Sequence, residues 1–170
     1  MELQTRLAFD SVDMTIVEAL QANARISFAE LGRMAGLSQP AISERVKRLE
    51  EKGVITGYTA RINPAALGLG MTAFIRLQTT HQHIQTCLKR FREMPHVLAV
   101  DRVTGEDCFI LKVVVPSPTA LEPIVDSIAR FGAVKTAIVL RHEPDKPVTL
   151  ATLRAAMSVA LGQEDLPVRS

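Results

Sequence analysis

Apolar residues recur along the first fifty positions at helical spacing and, from about residue 71 onward, alternate at strand spacing as well. The first periodic run predicts a helix over Ser11–Ala22. Asp10 stands as its N-cap, Asp13 adds a carboxylate to the first turn, and Phe9 and Met14 occupy the two positions of a hydrophobic staple. Ile16, Leu20 and then Ile26 form its apolar side, and the polar stretch Asn23-Ala24-Arg25 ends it. Two more stripes follow, Leu31, Ala35 and Leu37, then Ile42, Val46 and Leu49. Between them Gly36 offers a left-handed helix stop, Ser38 a cap for the next helix, and Pro40 a first-turn residue whose missing N–H costs nothing. Two short helices joined by a tight turn, packed on the first, make a helix-turn-helix. The β-rich runs Val54-Ile55-Thr56 and Tyr58 to Ile62, around Gly57, predict a wing or connecting strand, and Asn63-Pro64 breaks it.

Residues 63–70, NPAALGLG, read as a linker. The elements predicted beyond it are a strand over 71–80, a helix over 82–94, strands over 97–104 and 107–115, a helix over 119–131 and a strand over 133–141. Ile84, Leu88 and Phe91 face inward from the first of these helices, and Leu121, Ile124, Val125 and Ile128 from the second. The order βαββαβ predicts an α+β, ferredoxin-like arrangement with both helices on one face of a four-stranded antiparallel sheet. In residues 107–115 one face is Phe109, Leu111, Val113 and Val115, while the other still holds Cys108, Ile110 and Val114. A sheet apolar on both faces asks for a second cover. A second subunit is one candidate, and the C-terminal stripe Leu150, Leu153, Met157 and Leu161 is the other. The domains expected are 1–62, the linker 63–70, 71–142, and a C-terminal extension over 143–170 containing a helix.

Composition excludes several classes. With 47% hydrophobic and 22% charged residues the chain is not disordered, and it has no apolar run long enough to span a bilayer. No basic, then apolar, leader opens it, so a cytoplasmic protein without membrane partners is expected. Cys87 and Cys108 fall on apolar faces as small hydrophobes rather than a disulfide framework. Net charge is +2, and residues 1–63 balance at eight Lys/Arg against eight Asp/Glu. So little positive surface gives a single module weak affinity for phosphates, and assembly into a multimer would compensate.

Candidate chemistry gathers at two places. With Ile42, Val46 and Leu49 turned inward, Pro40, Ser43, Glu44, Lys47 and Glu51 fall on the free side of the second motif helix, with Ser38 and Gln39 at its start. That side suits a DNA groove, and Arg45 and Arg48 at its edges suit phosphates. The other place is Thr104-Gly105-Glu106-Asp107, where Gly105 fits the first central position of a two-residue type II′ turn. Enzymatic signatures are missing. His81-x-His83 with Cys87 lacks a second ligand pair, so no metal is expected, and Ser38 and Ser43 have no nearby His to activate them.

Asp10-x-x-Asp13, Ala22-x-x-Arg25-Ile26-Ser27, Gly36-Leu37-Ser38, the run from Arg45 to Tyr58 and the Gly105-x-Asp107 hairpin together resemble the Lrp/AsnC family of bacterial and archaeal transcription regulators, over about residues 7–142. The resemblance implies an N-terminal winged helix-turn-helix joined to a C-terminal βαββαβ (RAM-type) domain. It also implies double-stranded DNA as partner, homodimers formed through the sheets and built into octamers or larger, and a cytoplasmic, nucleoid-associated protein. It further implies a small effector such as an amino acid, held between dimers near the hairpin and no other cofactor. Gly105, Glu106 and Asp107 would line that cleft, with Arg102, Thr104 and Thr136 added by proximity. Gly32 stands where the family commonly has Ala, which costs the helix up to about 1 kcal/mol. The function expected is a sequence-specific, effector-responsive regulator without enzymatic activity. The alternatives are an architectural DNA-binding protein without effector control, or a metabolite-binding or catalytic module without DNA binding.

Overall fold

The computed structural model describes residues 9–160, and the chain forms two compact units. One gathers the chain up to Ala60 together with the stretch from Pro144, and the other is Arg61–Glu143.

The first unit is helical. Helix α1, Ser11–Ala22, is capped by the Asp10 carboxylate, which accepts from the Asp13 amide at 2.8 Å. Helix α2, Phe28–Ala35, is capped by Ser27 and stopped by Gly36 at φ 68°, ψ 31°, the left-handed conformation expected there. Helix α3, Gln39–Glu51, opens on the Ser38 cap with Pro40 in its first turn. Ile16, Leu31, Ile42 and Leu49 are fully buried, with Ala19, Leu20 and Val46 beside them. Each large aliphatic side chain removed from water contributes about 1.5–3 kcal/mol. That apolar core therefore outweighs any surface contact in holding the three helices together. Gly32 closes the motif tightly, since a Cβ there would lie 2.6 Å from the Leu37 carbonyl oxygen.

The expected wing does not form as paired strands. Between Val54 and Ile62 the chain makes a bend and then runs without a ladder partner. The amides of Val54 and Ile55 both donate to the Leu49 carbonyl and finish α3, and the Tyr58 hydroxyl donates to Glu50 at 2.9 Å. With those groups spent on the helix end, two short and mostly exposed runs have too little to pair through or to bury. The C-terminal extension belongs to this unit. Helix α6, Leu150–Ala160, is reached through Val148, whose N–H and C=O both bond the Gln21 side chain at 2.9 and 2.8 Å. Glu18 accepts from the Leu150 amide at 2.9 Å. The segment is thus clasped to α1 within the first unit. Leu161, the last member of its expected stripe, lies outside the described residues.

The second unit is the βαββαβ sandwich. Its strands are β1 (Met71–Thr79), β2 (Val97–Arg102), β3 (Phe109–Val115) and β4 (Gly132–Ile138), in the sheet order β2-β3-β1-β4, every pair antiparallel. Helices α4 (Ile84–Glu93) and α5 (Pro118–Ala129) cover one face. Ala73, Ile75, Leu77, Phe109, Leu111 and Val113 meet Cys87, Phe91, Ile124 and Ile128 there, all nearly or wholly buried. Leu88 and Val125, expected to face inward, are half-buried and pack at the rim of this core. Gly132 is fixed by a close approach, because a Cβ on it would sit 2.0 Å from the Gln78 carbonyl oxygen. The opposite face is mixed rather than apolar: Phe74, Ile110 and Val114 are interleaved with Arg76, Asp101, Lys112 and Lys135.

Candidate functional site

Helix α3 presents the free side that its periodicity requires. Ser38, Gln39, Pro40, Ser43, Glu44 and Lys47 are all exposed, while Ile42, Val46 and Leu49 hold the helix down at 3% exposure or less. Lys47 reaches Glu51 one turn on at 3.7 Å, an exposed pair worth a few tenths of a kcal/mol. Its ammonium remains available to an anion.

Arg45 and Arg48 are placed differently from the rest of that set. Arg45 Nη1 donates to Asp10 Oδ2 at 2.7 Å and to Asp13 Oδ1 at 2.8 Å, and Arg48 Nη2 donates to both Asp13 oxygens at 3.1 Å. Both guanidiniums are therefore engaged within the unit, each through one terminal nitrogen. Asp13 is 1% exposed, the one buried polar or charged residue among those described. The Asp13 amide and then Arg45 hold the Asp10 carboxyl below the ordinary aspartate value, and Asp10 followed by Asp13 raises Arg45. Periodicity places residues on faces of one helix. It carries no information on carboxylates arriving from another helix, and the signal missed was the Asp10-x-x-Asp13 spacing against Arg45-x-x-Arg48.

The hairpin site is partly assembled. Strands β2 and β3 are joined through a bond from the Val103 amide to the Cys108 carbonyl, with four residues, Thr104 to Asp107, in the reversal. The expected two-residue turn is therefore replaced by a wider loop. Gly105 at φ 113° takes a conformation that side chains rarely adopt. The Asp107 carboxylate stands 3.6 Å from Arg76 on β1, and Glu106 stands 4.0 Å from Lys135 on β4. Arg76 and Lys135 are opposite one another in the ladder, so all four charged groups share the sheet face that the helices leave open. Sequence reasoning missed these two cations, although Arg76 between inward Ile75 and Leu77 marks an outward position.

Two expected members fall elsewhere. Thr136 pairs with Ile75 and Arg102 with Phe109, both core residues, so strand alternation turns them to the helix-covered side, away from Asp107 and Glu106. His81 and His83 lie in a 3₁₀ turn with exposed side chains, whereas Cys87 is buried in the core, where burial first and then Cys108 raises its thiol pKa. No three His, Cys, Asp or Glu side chains among the described residues are grouped to hold a metal. No helix among them is long and apolar enough to cross a membrane.

Comparison with known proteins finds matches to two domain families along the chain. Residues 9–50 match the AsnC-type helix-turn-helix domain, and residues 72–148 match the Lrp/AsnC ligand binding domain. The HTH-type transcriptional regulator YezC of Bacillus subtilis is 38% identical over 142 residues, which cover 81% of this chain and 98% of that protein. Among solved structures, a transcriptional regulator of Neisseria meningitidis in complex with L-Met aligns with a TM-score of 0.79 at 25% identity, over 86% of this chain and 99% of that one. A feast or famine regulatory protein of M. tuberculosis complexed with L-methionine aligns at 0.75 and 33% identity, over 81% and 96%. Helix α6 lies beyond both matched segments.

Proposed function

Because the chain belongs to the Lrp/AsnC family of transcriptional regulators, DNA-binding proteins rather than enzymes, we propose that α3 reads base edges in the major groove and that an amino acid bound to the Arg61–Glu143 unit modulates the assembly and DNA affinity of the protein. The exposed row Gln39, Ser43, Glu44 and Lys47 on a helix pinned by three buried aliphatics carries the first part. Amide, hydroxyl, carboxylate and ammonium groups in one row supply the donors and acceptors that distinguish base pairs.

For the effector, the open-face cluster of Arg76, Asp107, Glu106 and Lys135 offers both charges that an amino acid needs. A cation takes the α-carboxylate and a carboxylate the α-ammonium. The L-Met complexes of the Neisseria and M. tuberculosis proteins make methionine the first ligand to try. The mixed open face, with Phe74 at 40% exposure near the half-buried Ile110, supports a homodimer formed sheet against sheet, and dimers would associate further into an octamer or larger. Such assembly supplies the avidity that a charge-balanced DNA-binding unit lacks. The protein would act at the DNA, in the cytoplasm and nucleoid.

Selection of duplexes from a random pool, with and without an amino-acid panel, tests the reading. A defined sequence should emerge whose retention depends on one amino acid. Changing Gln39 or Ser43 to Ala should relax preference at one position by about 1–3 kcal/mol. Recovery of no sequence preference would favour an architectural DNA-binding role, and no retention of DNA would favour a metabolite-binding module.

A further inference from the structure

The buried carboxylate of Asp13 is the feature of the DNA-binding unit that core packing does not explain. A carboxylate removed from water is costly unless cations take it, and apolar residues of similar volume serve stability as well or better. Here two guanidiniums are drawn in. Arg45 Nη1 bridges Asp10 and Asp13 at 2.7 and 2.8 Å, and Arg48 Nη2 sits 3.1 Å from both oxygens of Asp13. The four groups sum to zero charge. Both arginines lie on α3, one turn apart, and both remain partly exposed, 25% for Arg45 and 44% for Arg48. Released from Asp13, each could swing to a phosphate.

We propose that Asp13 determines specificity by withholding Arg45 and Arg48 from the DNA backbone, a positioning role that acts through those two arginines. Phosphate contacts supply affinity without sequence information, so every arginine held back lowers binding to all DNA equally. What remains rests more heavily on Gln39, Ser43, Glu44 and Lys47. The inference rests on the reading of α3 as the base-reading helix.

The test uses the full-length chain with two fluorescent duplexes, the sequence recovered by selection and a scrambled duplex of the same composition, titrated by anisotropy across a salt series. Asp13→Asn keeps the shape and one acceptor oxygen. It is expected to raise affinity for the scrambled duplex roughly five- to tenfold per freed arginine at 0.1 M salt, and to steepen the slope of log affinity against log salt by about 0.9 per added phosphate contact. The ratio of selected to scrambled affinity should fall by a similar factor. The double change Asp13→Asn with Arg48→Gln should bring slope and ratio back toward the unaltered protein.

A purely structural Asp13 would instead weaken both duplexes together with an unchanged slope, and that result overturns the proposal. So does an equal slope change in Glu30→Gln, which alters net charge by the same amount without releasing an arginine. Should Asp13→Asn fail to fold, Arg48→Gln in the otherwise unaltered chain decides the same point: an arginine withheld from the backbone leaves the salt slope unchanged on its removal, and a slope that falls by about 0.9 means that Arg48 already contacts phosphate and overturns the proposal. If Gln39→Ala and Ser43→Ala leave the selected sequence unaltered, the base-reading assignment of α3 fails, while the slope on scrambled DNA still decides what Asp13 does.

Discussion

Gly32 shows how one atom sets the geometry of the motif. On propensity alone Ala would improve helix α2 by up to about 1 kcal/mol. The Leu37 carbonyl, which would lie 2.6 Å from the new Cβ, is backbone inside the turn and cannot swing away as a side chain could. Overpacking of that kind costs about 1–3 kcal/mol. Gly32→Ala should therefore lower stability by about 1 kcal/mol in urea denaturation, and equal or greater stability would mean that the turn relaxes freely. The Asp10 cap gives a second prediction at this scale. Its folded pKa is depressed, so its contribution is complete above the unfolded aspartate value of about 3.9 and is lost as pH falls below that through the folded value. The stability gap between the unaltered protein and Asp10→Asn should be constant from pH 5 to 8 and shrink at pH 3. A gap that persists at pH 3 would assign the effect to shape rather than charge.

Among the elements, those that bury a periodic face were legible in the sequence. Ser11–Ala22 is bounded by its cap and its polar break, and Ile84, Phe91, Leu121 and Ile128 each mark one side of a helix. What periodicity could not supply was partnership. Val54 to Ile62 has strand composition, but the amides of Val54 and Ile55 bond the end of α3, and composition does not reveal where a hydrogen bond goes. Arg102 and Thr136 were drawn toward the hairpin by nearness in the chain and in the expected fold, and the pleat turned them to the other face. Helix α6 was visible as a stripe, whereas its attachment through Gln21 and Glu18 required the three-dimensional contacts. That attachment is local and exposed. Gln21→Ala should speed hydrogen exchange at the Val148 and Leu150 amides by tenfold or more, with a midpoint in urea changed by less than about 0.5 kcal/mol. Unchanged exchange at Val148 would show that the clasp contributes nothing to holding the arm.

For the molecule as a whole, the helix-free sheet face is the surface on which the proposed assembly depends. Ile110→Asp places a charge between Arg76 and Asp101, opposite both in the ladder and away from the helix-side core. In light scattering the full chain should fall to a smaller species and bind the selected duplex more weakly, because avidity is lost with the partner. An unchanged mass would move the interface to another surface. The unit that matches a DNA-binding domain is also built from both ends of the described chain, Ser11 to Ala60 and then Pro144 onward, with the whole βαββαβ unit between them. During synthesis, therefore, α1 to α3 leave the ribosome first and can pack early, yet the Gln21 and Glu18 side chains wait for the arm until every strand of the sheet has been made. Docking of α6 thus follows synthesis of the whole βαββαβ unit, and a nascent chain halted inside that unit would carry a DNA-binding head without its clasp.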